Sequence, residues 1–233
     1  MLFRNRILSA VDKTDLVDLL PHMTEVTWGA GHELYEVGGV VSDVHFPSSA
    51  GLSVVAVMAD GAEVECATVG YEGAVGVLSA LSGAVSSNRV RVQLAGSGIT
   101  MSAAALRKQV AQSPFLLQLL LRSAQTLIVQ GEQSVACLAL HEVEARLSRW
   151  LLICQDRLDA PMLPITQEHL SLMLGMQRTT VSAAAGVLRG EGLIRYSRGQ
   201  IEIVDRAGLR ARSCECYDTV QRLSRRLLAE GAA

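Results

Sequence analysis

The stretch ITQEHLSLMLGMQRTTVSAAAGVLRGEGLIRYSRGQIEIV, residues 165–204, decides how the rest of the chain reads. Thr166 is a residue type that caps a helix by accepting a hydrogen bond from an amide of the first turn. Leu170, Met173 and Leu174 follow at helical spacing on one face. Gly175 stands where a tight turn needs a backbone without a Cβ. A second helix is expected from about Arg178 to Arg189, with Val181, Ala184, Ala185 and Leu188 inward. Gln177, Arg178, Thr179, Ser182, Ala183, Gly186 and Arg189 then face outward. Ile194, Tyr196, Ile201 and Ile203 alternate around Ser197-Arg-Gly-Gln200, which predicts a hairpin with Arg195 and Arg198 near its tip. Two short helices about a glycine turn, followed by a hairpin, make a winged helix-turn-helix.

In that unit the N-terminal end of the second helix enters the major groove of DNA. The outward residues suit the task. Arginine reads guanine through two parallel hydrogen bonds, glutamine reads adenine, and threonine meets a base edge or a thymine methyl. Thr166 and Gln167, at the start of the first helix, sit where hydroxyls and amides meet phosphate. The expected DNA contacts are Thr166, Gln167, Gln177, Arg178, Thr179, Ser182 and Arg189, with Arg195 and Arg198 on the wing.

Working outward, residues 141–157 form an amphipathic helix with Val143, Leu147, Trp150, Leu151 and Cys154 inward. Before it, Ser113-Pro114 opens a long helix with a serine cap and a proline in the first turn. Leu117, Leu121, Ala124, Ile128, Gly131, Val135 and Leu138 step alternately by 4 and 3, a coiled-coil-like seam. Leu116, Leu119, Leu120 and Leu127 form a second apolar face. A helix apolar on two faces needs two partners. One face covers the N-terminal domain, and the other, through Leu117, Leu121, Ala124, Ile128, Gly131 and Val135, is expected to meet a second copy of the chain. The alternative is a buried central helix of a monomer.

From Val26 to Met101 the texture is β: runs at 34–37, 43–47, 52–58, 62–69, 89–94 and 99–101 alternate with glycine turns, and Asp60-Gly61 marks a hairpin. Residues 5–20 read as one short helix, and residues 205–228 as a last helix with Leu209, Cys216, Val220, Leu223 and Leu227 inward. The fold class is therefore α+β: an N-terminal antiparallel β-roll, a long dimerisation helix and a C-terminal winged helix-turn-helix. The boundaries are 1–112, 113–138 and 139–233.

Composition agrees. The 233 residues are 49% hydrophobic and 19% charged, which excludes a disordered tail. Residues 1–136 carry a balance of −4 and residues 137–233 one of +2, so the C-terminal part better tolerates a polyanion. No apolar run reaches the roughly 18 residues of a membrane span, and Met-Leu-Phe-Arg-Asn-Arg lacks a signal peptide's apolar core; a cytoplasmic protein with no membrane partner is expected. Five cysteines make neither a disulfide framework nor a zinc spacing. Cys214 and Cys216, two apart on the expected last helix, would point away from each other, so no metal site is expected. There is no nucleophile–base pair and no Walker loop, so no catalytic residue is assigned.

Taken together, residues 26–101, 113–138 and 141–204 resemble the Crp/Fnr family of bacterial transcription regulators, with its cyclic-nucleotide-binding-type β-roll, dimer helix and winged helix-turn-helix. The resemblance implies a homodimer that reads a palindromic operator in double-stranded DNA, responds to a small-molecule effector and works with RNA polymerase. By this resemblance Thr166, Gln167, Gln177, Arg178, Thr179, Thr180 and Ser182 fall where family members touch DNA, and Arg178 matches the family's guanine-reading arginine. Thr179 stands where many members have glutamate and Ala183 where many have a second arginine, so the operator should differ from the family's best-known consensus. Gly70-Tyr-Glu-Gly-Ala-Val-Gly76 resembles the start of the family's phosphate-binding cassette, and Glu72 matches its ribose-binding glutamate. Where the family has an Arg-Ser pair for the cyclic phosphate, this chain has Asn88-Arg89. An effector pocket at Gly70, Glu72, Gly73, Asn88 and Arg89 is thus expected not to take cyclic AMP, and its effector is left open. Residues 1–30 contain no cysteine, so the family's iron–sulfur cluster is not expected. The competing reading is a small-molecule-binding signalling module with little or no sequence-specific DNA binding.

Overall fold

A computed structural model of the chain describes residues 3–158, 162–197 and 199–229. Two short helices open it, α1 (Arg6–Ala10) and α2 (Lys13–Leu19). The single helix expected over 5–20 is broken because Asp12 caps a new helix: its side chain accepts from the amide of Asp15, with Val11 extended before it.

The β region holds β1 (Met23–Trp28), β2 (Glu33–Tyr35), β3 (Asp43–Pro47), β4 (Gly51–Val57), β5 (Glu63–Val69), β6 (Arg89–Leu94) and β7 (Gly96–Ser102), with a short helix α3 (Val77–Ser82) between β5 and β6. They form two antiparallel sheets, ordered β1-β7-β3 and β2-β6-β4-β5. Two apolar clusters fill this half. One, around Trp28, Tyr35, Leu52 and Val92, lies within the roll; the other joins Ile7, Phe46 and Met101 to Leu116 and Leu120 of the long helix.

After α4 (Ala103–Val110) comes α5 (Pro114–Leu140), which ends two residues past the expected boundary at 138. Ser113 caps it by accepting from the amide of Leu116. Its two apolar faces separate as the sequence reading requires. Leu116, Leu119 and Leu120 are buried against the roll, whereas Leu121, Ile128, Val135 and Leu138 are 46%, 52%, 69% and 39% exposed. Ala124 departs from the expected seam: it is already buried within the chain, so the exposed strip runs past it.

The C-terminal half follows as α6 (Val143–Leu158), β8 (Met162–Leu163), α7 (Gln167–Leu174), α8 (Arg178–Gly190), β9 (Ile194–Ser197), β10 (Gln200–Ile203), α9 (Arg206–Arg212) and α10 (Cys216–Ala229). The wing sheet is ordered β8-β10-β9. Leu147, Leu151, Leu170, Val181, Leu188 and Ile201 are almost fully buried in one cluster, which also takes in Val55 and Leu94 of the roll. The last segment is two helices rather than one. α10 returns along α5, and Ser213-Cys214-Glu215 forms a joint rather than a helical turn. No helix among the described residues is long and apolar enough to cross a membrane.

Candidate nucleic-acid interface

Local chemistry builds the two-helix unit. Thr166 Oγ1 accepts from the amide of His169 at 3.2 Å and starts α7. Gly175 ends it with φ +60°, and a Cβ there would also run into Val64 of β5. One glycine therefore serves both the turn and the close seating of the unit on the roll. Arg146 of α6 donates to the carbonyl of Leu174 at 2.6 Å, satisfying an end group of α7. Trp150 Nε1 donates at 2.8 Å to the fully buried Glu65 of β5, which also accepts from Thr68 and from Ser53. Burial, opposed by those three hydrogen bonds, raises the pKa of Glu65.

The start of α8 faces outward. Gln177, Arg178, Thr179 and Thr180 are exposed in succession. The Gln177 side chain makes no capping bond and the first turn holds no acidic residue, so the positive end of the helix dipole is left unneutralised. Among the described residues Arg178 has no hydrogen-bond or ion-pair partner. Arg189 is exposed in the last turn.

Other expected contacts are placed differently. The Ser182 hydroxyl donates to Gln167 Oε1 at 2.9 Å, so these two tie α8 to α7 while remaining half-buried. Arg195 is not at the wing tip. It lies opposite Glu202 in the β9–β10 register and donates to its carboxylate at 2.6 Å. Arg198 falls outside the described residues. His169 lies partly buried near Trp150, its Nε2 enclosed and without a hydrogen-bond partner among the described residues, and burial lowers its pKa.

The expected effector residues do not converge. Arg89 turns outward and pairs with Glu36 and Glu63, because Glu33, Glu36 and Glu63 crowd that face of the sheet. The Asn88 side chain accepts a local bond from Ser87 at 3.0 Å, and its backbone is tied to the Ser86 hydroxyl. Glu72 is already engaged: its Oε1 accepts from the amide of Gly70 and from Arg157 Nη2 at 2.6 Å. Arg157, from α6, also donates to the carbonyl of Thr68 at 2.7 Å. A Cβ on Gly70 would meet both Arg157 and Glu72, so the glycine admits the arginine stem. Beside this junction runs an open groove of about 1110 Å³ lined by Arg6, Tyr71, Glu72, Arg157, Arg206 and Arg222 among others. Sequence reading missed Arg157, which sits 85 positions from Glu72 in a helix whose pattern reads only as core.

It also missed a cysteine–histidine group. Cys214 and Cys216 were expected to diverge on one helix. Because α10 begins only at Cys216, they converge instead on Cys137 and on His141, which ends α5. Cys137 Sγ lies 3.5 Å from Cys214 Sγ, and this contact lowers the pKa of the Cys137 thiol and raises that of Cys214.

Comparison with known proteins bears on the same geometry. Residues 145–212 match the model of the Crp-like helix-turn-helix domain. No curated protein sequence matches the chain. Many solved structures share the fold. A CRP-family transcriptional regulator from Thermus thermophilus aligns with TM-score 0.68 at 19% identity, over 81% of this chain and 96% of that one. FixK2 from Bradyrhizobium japonicum gives 0.67 at 17%, over 82% and 98%. The c-di-GMP-responsive global regulator CLP from Xanthomonas campestris gives 0.67 at 16%, over 82% and 99%.

Proposed function

We propose that this chain, which carries a Crp-like helix-turn-helix domain within a Crp/Fnr-type fold, is a transcription regulator that binds DNA as a homodimer. The observation that carries the reading is the exposed run Gln177-Arg178-Thr179-Thr180 at the uncapped start of α8. Arg178 is free to read guanine, and its neighbours supply an amide and two hydroxyls for adjacent base edges. The exposed strip of Leu121, Ile128, Val135 and Leu138 supports pairing of two copies along α5. A two-fold dimer presents two recognition helices and so demands half-sites about one helical turn apart.

The effector in this reading is not cyclic AMP. The glutamate that would meet the ribose is held by Arg157, and the arginine nearest the expected phosphate position faces Glu36 and Glu63. In the groove beside Glu72, Arg157, Arg206 and Arg210 are paired with Glu72, Asp156 and Asp218, and Arg6, Arg222 and Arg225 are the cations that would meet an anionic effector. RNA polymerase as a further partner and a cytoplasmic location follow from the regulator role, and no catalytic role is assigned. The reading is tested by selecting bound duplexes from a random pool with the full chain. Recovery of a two-fold symmetric site supports it. Recovery of no shared sequence favours the signalling module without specific DNA binding.

A further inference from the structure

Four metal-ligating side chains meet at one point outside the matched residues 145–212. Cys137 lies in the last turn of α5, His141 ends that helix, and Cys214 and Cys216 flank the joint leading into α10. Their three Sγ atoms and one imidazole nitrogen all lie within 4.8 Å of one another. We propose that Cys137, His141, Cys214 and Cys216 form a tetrahedral site for a single zinc ion.

Distances carry the assignment. Zinc binds thiolate sulfur at about 2.3 Å and imidazole nitrogen at about 2.0–2.1 Å, so tetrahedral angles put two sulfurs about 3.8 Å apart and a sulfur and nitrogen about 3.6 Å apart. Cys137 Sγ is 3.5 Å from Cys214 Sγ, and Cys216 Sγ is 3.4 Å from His141 Nδ1. Small shifts of the ligands admit the ion. An iron–sulfur cluster would divide four ligands among two or more irons, so all four would not lie within the shell of one ion.

The donor set and its surroundings agree. Three thiolates and one imidazole are a closed structural zinc set, and such soft ligands disfavour magnesium and calcium. All three cysteines are buried. The other ring nitrogen of His141, Nε2, lies 3.1 Å from Glu215 Oε2, the carboxylate that fixes a ligand histidine's tautomer and leaves Nδ1 free to bind. Gln133 Nε2 donates to Cys216 Sγ at 3.0 Å, so a donor group faces the sulfur charge. Zinc would displace the thiol protons into solvent, making binding stronger as pH rises. The ion would fasten the end of α5 to the joint before α10.

The test uses the full chain, reduced, stripped with a chelator, and titrated with cobalt(II) and then zinc. Saturation at one cobalt per chain, with thiolate-to-cobalt charge transfer and the intense visible bands of a tetrahedral site, is expected, and one equivalent of zinc should bleach them. Cys214→Ser and Cys216→Ser should each weaken cobalt binding at least 100-fold. Glu215→Gln leaves every ligand in place and should weaken zinc about 10- to 100-fold with an unchanged cobalt spectrum. The wild-type titration stands even if a variant folds poorly. The proposal is overturned if the reduced wild type shows no saturable one-to-one cobalt binding. It is equally overturned if the spectrum lacks thiolate charge transfer, if iron–sulfur absorbance accompanies the isolated chain, or if a folded Cys214→Ser/Cys216→Ser double variant binds as the wild type does.

Discussion

Arg157 Nη2 lies 2.6 Å from Glu72 Oε1, so an arginine of the winged half grips the loop that follows β5 of the roll. The guanidinium side chain is only 9% exposed, and it also holds the Thr68 carbonyl. The same contact joins the two halves and engages Glu72, the residue expected from sequence to meet a nucleotide's ribose.

That contact predicts the outcome of a calorimetric titration with cyclic AMP: no saturable heat at micromolar ligand. A micromolar or tighter dissociation constant would show that Arg157 yields readily. Arg157→Ala should lower Tm by roughly 5–10 °C, because it strands Glu72 and removes a bond to a buried carbonyl.

Ile128→Asp tests the pairing of two chains. Ile128 is 52% exposed in one chain, so the substitution costs a monomer little. Across a dimer seam it would place charge in an apolar interface at a cost of several kcal/mol. Sedimentation at micromolar concentration should show dimer for the wild type and monomer for the variant. A variant that stays dimeric puts the interface elsewhere.

Gly175→Ala should destabilise more than an ordinary turn substitution. The left-handed backbone costs an L-residue about 1–2 kcal/mol, and the new methyl strikes Val64. Thermal unfolding should show a Tm lower by several degrees, partly restored by adding Val64→Ala. A full-sized Tm in the single variant would mean that α7 is not seated on β5 as described.

His45 sets a pH dependence. Its ring is enclosed by Trp28 and Tyr35 with Nδ1 unpartnered, and burial lowers its pKa to about 4, Asp43 opposing and His32 adding. An unfolded histidine titrates near 6.5, so the unfolded chain binds the extra proton first. The stability from keeping His45 neutral is whole above about pH 6.5 and is lost progressively as pH falls toward 4. The loss is about 2 kcal/mol by pH 5. Urea unfolding of the wild type and of His45→Gln should therefore show a flatter profile for the variant between pH 7 and 5. Parallel profiles would exclude His45 as the source.

The sequence made legible what local pattern controls. β3 and β6 fall on the expected 43–47 and 89–94 because their β-branched runs are bounded by turns. α7, Gly175 and α8 follow from a cap, a left-handed glycine and one apolar face. β1 was not legible as a strand: it lies at a sheet edge, pairs only with β7 and buries little beyond Trp28, so its Thr-Glu-Val-Thr pattern carries no strong period. α3 is framed by Gly76 and Gly83, which read as loop. Arg157 with Glu72, and Cys137 with Cys214, are joined by tertiary packing across 85 and 77 positions, which no local pattern encodes.

The most direct measurement is binding of wild type and Arg178→Ala to the selected operator and to a scrambled duplex, across a salt series. Among the described residues Arg178 has no partner, and it stands at the start of α8, the end of a recognition helix that would meet base edges. A bidentate arginine–guanine contact contributes about 1–3 kcal/mol of discrimination. The substitution should therefore weaken the operator roughly ten- to a hundredfold, relax preference at one base pair per half-site and leave the scrambled duplex nearly unchanged. Equal losses on both duplexes, with a shallower salt slope, would make Arg178 a phosphate contact and contradict recognition through α8.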